Sequence, residues 1–157
     1  MENVGKSPTP APRRITHVAD VKSVCLTRAS DERGSLLALE FRDLPFEPLR
    51  CFVVSDVPSS KTRGEHAHWE CHQLLVCTSG SLSVSVTDGV GSKTFHLDGT
   101  ENALYIPPLI WASQFLFSED ASLLVLASDA YDSRDYIRDF EEFANIRAKL
   151  NSTLWAR

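Results

Sequence analysis

Nowhere in this sequence do lysine and arginine gather into a dense stripe; 16 of them are scattered among 21 Asp and Glu, and the formal net charge is -5. A nucleic-acid surface is therefore not expected, although a few arginines converging in one cleft can still hold an anion. Cysteine is sparse, and Cys25, Cys51, Cys71 and Cys77 form no C-x-x-C pair. Each lies in or beside an apolar run, so buried thiols are expected rather than disulfides or a zinc knuckle. No apolar stretch approaches the length of a membrane span, and the first residues lack the apolar segment of a signal peptide. A cytoplasmic chain with no membrane partner is the expectation. Internal repeats are lacking too.

What is there reads as one folded unit. At 157 residues, with 43% apolar and 24% charged, the chain suits a single domain around one packed core. Residues 1–14, MENVGKSPTPAPRR, carry prolines and no apolar period, and read as a disordered tail ahead of one domain over 15–157. Short runs rich in Val, Leu, Phe and Thr then recur between Gly, Asp, Ser and Pro. Candidate strands are 22–28, 34–41, 50–57, 72–78, 82–87, 93–97, 103–106, 111–117 and 121–127. Ser79-Gly80 and Asp88-Gly89 are hairpin signals, and Leu82, Val84 and Val86 alternate with Ser81, Ser83 and Ser85. The rhythm predicts an all-β sandwich or barrel of short antiparallel strands. Near the end the period changes: Tyr136, Ile137, Phe140, Phe143, Ile146 and Leu150 fall three or four apart. This predicts a C-terminal α-helix over about 133–150, with Ser133 as N-cap and Asp135 in its first turn.

Three of the five histidines crowd into Arg63-Gly64-Glu65-His66-Ala67-His68-Trp69-Glu70-Cys71-His72-Gln73. On a strand, residues two apart share a face, so His66 and His68 point the same way. Paired imidazoles on an inner face suit a metal or acid–base chemistry. His72 shares that face only if no bulge intervenes.

The segment resembles the first motif of the cupin superfamily, an HxH pair followed by a metal-binding Glu and a turn Gly. Here Gln73 stands at the Glu position and Gly80 at the turn. In the second cupin motif, Pro107-Pro108-Leu109-Ile110-Trp111-Ala112 places Ala112 where another His is usual. Two of four ligands are thus replaced by an amide and a methyl, which argues against firm metal binding.

With Pro107-Pro108 and Trp111, Leu123-Leu124-Val125-Leu126-Ala127-Ser128, Tyr131-Asp132 and Asp135-Tyr136-Ile137-Arg138, the pattern resembles the TDP-4-keto-6-deoxyhexose 3,4-ketoisomerases, over about residues 21–143. That resemblance implies a cupin jelly-roll homodimer, without metal or other cofactor, that moves a ketone from C4 to C3 of a TDP-linked deoxysugar. His66 and His68 are then the acid–base residues. Gln73, Tyr105, Trp111 and Gln114 are expected to line the sugar pocket, and Arg33 and Arg63 to meet the diphosphate, with Arg50 a third cation. Members often carry Trp-His where this chain has Trp111-Ala112. Alternatives are a sugar-nucleotide 3,5-epimerase, a non-catalytic sugar-nucleotide-binding module, and a metal-dependent cupin. His17 and His96 read as surface residues, and Asp129, Tyr131 and Asp132 as a turn.

Overall fold

The structure, a computed structural model, describes residues 15–99 and 102–155; the expected tail over 1–14 lies outside them. Among the described residues twelve strands are β1 (Lys22–Cys25), β2 (Thr27–Asp31), β3 (Gly34–Ala38), β4 (Arg50–Ser55), β5 (Arg63–His68), β6 (Gln73–Ser79), β7 (Ser81–Thr87), β8 (Ser92–Asp98), β9 (Asn102–Ile106), β10 (Trp111–Phe115), β11 (Ser122–Ala127) and β12 (Tyr136–Ile137). One five-stranded sheet runs β1-β9-β6-β11-β4 and a second runs β12-β5-β10-β7-β8, while β2 and β3 form a separate hairpin. Every paired strand is antiparallel. This is a mainly β jelly roll.

The core lies between the two sheets. Leu82, Val84 and Val86 of β7 are fully buried there with Leu75, Leu104, Leu123 and Val125, while the serines between them on β7 are only half-buried. Strand β6 is apolar on both faces because both are covered. Leu75 and Cys77 face the common core, and Leu74 and Val76 pack against Leu26, Leu37, Leu39 and Phe46 from the β2–β3 side. Burial of this kind contributes about 25 cal/mol per Å² of apolar surface. The Ser79-Gly80 turn depends on a positive φ of 63° at Gly80, and a Cβ there would run into Ser118.

The C-terminal helix, α1 (Phe140–Trp155), begins later than its periodicity predicts. Asp132 caps a short 3-10 turn over Ser133–Asp135, and Tyr136 and Ile137 then pair with His68 and Ala67 as β12. The helix cap is Asp139, whose carboxylate accepts from the Glu142 backbone N–H at 2.7 Å. Phe143, fully buried, packs with Trp111, Ala67 and Ile137, seating α1 on the second sheet.

The thiols divide. Cys71 and Cys77 are buried, but Cys25 and Cys51 are exposed. Cys51 lies on β4, an edge strand of the first sheet, and its neighbours Arg50 and Phe52 take the more buried face. Among the described residues no helix is long and apolar enough to cross a membrane.

Candidate active site

Strand β5 brings the histidines in through a bulge. His66 pairs with Ala112, Gly64 with Ser113 and Arg63 with Gln114, so Glu65 is an extra residue on the β5 side. Glu65 and Gly64 both carry positive φ, 56° and 78°. On a regular strand Arg63 and His66 would face opposite ways; the extra residue puts both on the face of Ala112 and Gln114. Gly64 is required for a second reason. A Cβ on it would stand 2.9 Å from the Ala112 carbonyl oxygen and 3.1 Å from Gln114 Nε2.

Inside, His66 Nε2 and His68 Nε2 are 3.1 Å apart, with the rings edge to face. His68 is 5% exposed. Its Nδ1 lies 2.8 Å from Asp135 Oδ2, and its Nε2 lies 3.2 Å from the Gln73 amide nitrogen. Asp135 is itself held by backbone, its carboxylate accepting from the N–H groups of Glu70 at 2.7 Å and Cys71 at 3.3 Å. The Tyr136 ring lies 5.0 Å from His66 and 4.4 Å from His68. Arg138 stacks on Tyr136 at 4.2 Å, and Arg50 reaches the Tyr136 hydroxyl at 3.5 Å. Arg50 also lies 5.5 Å over Tyr131.

This setting keeps the imidazoles neutral. Burial pulls the His66 pKa below its ordinary value, opposed by a hydrogen bond to the Gly64 carbonyl and helped by Arg138. Burial and the neighbouring His66 push His68 down to about 4, against the pull of Asp135. A neutral imidazole at physiological pH is a base ready to take a proton.

Of the residues expected at the site, the structure brings together His66, His68 and Gln73, with Gln114 and Arg63 on the same face. Three others lie elsewhere. Trp111 packs outward, 5.1 Å from Phe140 and 5.6 Å from Phe143, because it alternates with the inward Ala112 and so meets the helix. Tyr105 pairs with His72, its hydroxyl 2.7 Å from Nδ1, beside a cavity of about 460 Å³ that also includes Lys22, Trp69 and Pro107. Tyr105 packs with the β2–β3 side, since its neighbours Leu104 and Ile106 fill the common core. Arg33 sits at the tip of the β2–β3 hairpin, 85% exposed and paired with Asp31 at 2.5 Å. His96 is exposed, and so is His17, 3.6 Å from Asp88.

Asp135, Tyr136 and Arg138 were hidden in the sequence by the helical period read across them. The signal that could have found them is Asp139 followed by Glu142, a capping pattern that starts the helix there and frees the preceding residues for a strand.

The donor set does not fit a resident metal. Opposite the imidazole pair stand the Gln73 amide and the Ala112 methyl. Among the described residues, the other grouping of metal-binding types is His68, Cys71 and Asp135. There the carboxylate is occupied by His68 and two backbone N–H groups, and burial raises the Cys71 pKa, away from the thiolate a metal needs.

A jelly roll that holds a pair of imidazoles two residues apart on one inner strand face defines a cupin. Residues 19–148 match the family described as FdtA: WxcM-like, C-terminal, and the chain belongs to that family. It is 38% identical over 131 residues to a TDP-4-oxo-6-deoxy-alpha-D-glucose-3,4-oxoisomerase of Aneurinibacillus thermoaerophilus, covering 83% of this chain and 94% of that one. A crystal structure of a 3,4-ketoisomerase from Helicobacter canadensis superposes with a TM-score of 0.78 at 38% identity, covering 82% of this chain and 98% of the other. A mutant of the 3,4-ketoisomerase QdtA from Thermoanaerobacterium thermosaccharolyticum, in complex with TDP-4-keto-6-deoxyglucose, gives 0.81 at 33% identity, covering 84% and 96%.

Proposed function

We propose that this chain is an isomerase that moves the ketone of a TDP-4-keto-6-deoxyhexose from C4 to C3, with His66 and His68 carrying the proton. The observation that supports this most directly is the Nε2 to Nε2 approach of 3.1 Å between two imidazoles that their surroundings keep neutral. A proton leaves C3 to give an enediolate, a proton returns at C4, and the hydroxyl proton passes from O3 to O4, leaving the ketone at C3. No net oxidation occurs, so the reaction calls for no redox cofactor. The Gln73 and Gln114 amides suit the developing enediolate oxygens, which gain from donors already in place.

The diphosphate needs cations, and the candidates beside the pair are Arg50, Arg138 and Arg63. Arg50 has a buried Nε with no hydrogen-bond partner among the described residues. The Tyr131 ring, 62% exposed and 5.6 Å from Tyr136, offers a face to the nucleobase. The four free thiols suit a reducing compartment, the cytoplasm. A second copy of the chain is proposed against β4, where Leu49 at 68% and Val53 at 60% exposure leave apolar surface beside an unpaired strand edge.

Proton NMR of the protein with TDP-4-keto-6-deoxyglucose in D2O and chelator tests the reading. A 3-keto product with deuterium at C4 supports it, with turnover falling about 10²- to 10⁴-fold in His66→Asn and His68→Asn. Deuterium at C3 and C5 without ketone migration indicates epimerase chemistry. An unchanged spectrum despite binding leaves a sugar-nucleotide-binding module.

A further inference from the structure

Two amides stand near the imidazole pair, and only one of them is taken. Gln73 Nε2 lies 3.2 Å from His68 Nε2. Gln114 is 8% exposed, yet neither atom of its amide has a hydrogen-bond partner among the described residues. An amide buried in this way costs free energy until a partner arrives to bond it. Its setting favours such an arrival. The inner face of β10 carries Ala112 and Gln114, opposite the fully buried Val86 and Val84 of β7. On β5 the bare Gly64 makes room for the amide, since a Cβ there would stand 3.1 Å from Gln114 Nε2. Ala112, across from His66, ends in a methyl, so β10 puts no other polar group between the amide and the pair.

Order along β5 tells which substrate atom the amide meets. Tyr136 pairs with His68, and Arg50 reaches the Tyr136 hydroxyl, so this cation with its buried, unbonded Nε stands at the His68 end. His66 follows, and Gln114 comes last, across from Arg63. In a pyranose C4 lies directly across the ring from C1. A sugar whose C1 diphosphate is held at Arg50, and whose C3 faces the imidazoles, therefore carries O4 past the pair toward Gln114. We infer that Gln114 is a further catalytic residue, whose Nε2–H donates to O4 of the 4-keto sugar and holds the charge that gathers there. This rests on the isomerase reading and deepens it. As the C3–H electron pair becomes the C3=C4 bond, the π electrons of the ketone move onto O4, and the hydrogen bond from the amide strengthens with that charge. When C4 gains its proton and O4 becomes a hydroxyl, Oε1 of the same amide can accept from it. One side chain thus serves the ketone, the enediolate and the product alcohol.

The test is Gln114→Met in the full-length protein, a change close in size that removes the donor. The wild-type amide bonds nothing in the unliganded protein, so its loss should leave the urea midpoint unchanged or raise it. With TDP-4-keto-6-deoxyglucose, kcat should nevertheless fall about a hundredfold while KM changes little. The carbonyl itself gives the second readout. In His66→Asn, where turnover is slowed, isotope-edited infrared spectroscopy of the sugar labelled with carbon-13 at C4 should place the bound C=O band below its frequency in free solution. Adding Gln114→Met should return the band toward the free value. A band equal in the two proteins, or a kcat within about twofold of wild type, overturns the assignment. So does a lowered urea midpoint with an unmoved band, which makes Gln114 a structural residue. If the Met variant does not fold, His66→Asn alone decides: a bound ketone with the band of the free sugar has no donor at O4, and the proposal fails. A larger rise in KM for Arg63→Ala than for Arg50→Ala would put the diphosphate at the other end of β5 and turn O4 away from Gln114, with the same result. Protein that binds the ketone with a Gln114-dependent band and yet yields no 3-keto product would sink the isomerase reading while the O4 contact stands.

Discussion

Ala112 stands directly across the β5–β10 ladder from His66. Side chains opposite one another in an antiparallel pair leave the same face with their Cβ atoms about 4.5–5.5 Å apart. The usual cupin histidine at this position would therefore touch His66, and here a methyl takes its place. The pair is closed off by Asp135 behind His68 and meets no third imidazole from β10.

Restoring that ring by Ala112→His should weaken the base. A third imidazole adds a like charge when protonated and disfavours the proton on His66. The acid limb of the kcat/KM profile should move to lower pH, and the rate at neutral pH should fall about tenfold for each unit by which the base weakens. Position 112 is 7% exposed, so overpacking should also cost about 1–3 kcal/mol in urea denaturation. An unmoved limb would mean that residue 112 does not face the pair.

Trp111, one residue away, should behave in the opposite manner. Its ring joins β10 to Phe140 and Phe143 of the helix, so Trp111→Ala should cost about 3–5 kcal/mol of stability. The protein that remains folded should keep the KM of the wild type, measured well below the melting temperature. A raised KM at unchanged stability would return Trp111 to the sugar pocket.

The contrast between these neighbours shows what a sequence discloses. Alternation along Leu82 to Val86 is a local property, and it marked the buried face of β7 correctly. The same period-two rule separates Trp111 from Gln114, yet the family resemblance placed both in the pocket. On β5 the rule is broken by Glu65, whose bulge turns Arg63 toward the face of His66; nothing local to Arg63-Gly64-Glu65 announces the extra residue except the glycine. Asp135 was least legible. It lies 67 positions from His68, and its placement depends on Tyr136 and Ile137 choosing a strand partner over a helical turn. That choice is made by tertiary pairing with β5, while the spacing of Phe140, Phe143, Ile146 and Leu150 extends backwards through Ile137 and Tyr136 as if one helix held them all.

The buried imidazoles should leave a signature in stability as well as in rate. Unfolded histidine titrates near 6.5, while the folded values of His66, His68 and His72 all lie lower, with burial the largest cause. Below 6.5 the unfolded chain therefore binds more protons than the native one, and stability must fall as pH falls. The loss should begin near 6.5 and continue to about 4, where folded His68 itself titrates. Native carboxylates such as Asp88 and Asp132 are held below their ordinary 3.8, so their contribution begins to be lost only below about pH 5 and leaves the upper part of this window to the histidines. Urea denaturation at intervals from about pH 4 to about pH 8 should show a plateau above 7 and a decline beneath it. His68→Asn should flatten the decline by up to one proton, and His72→Asn, at a separate site with Tyr105, should flatten it by a smaller share. An undiminished slope in His68→Asn would mean that His68 is already protonated in the native state near neutral pH, and that the pair does not start its reaction as a neutral base.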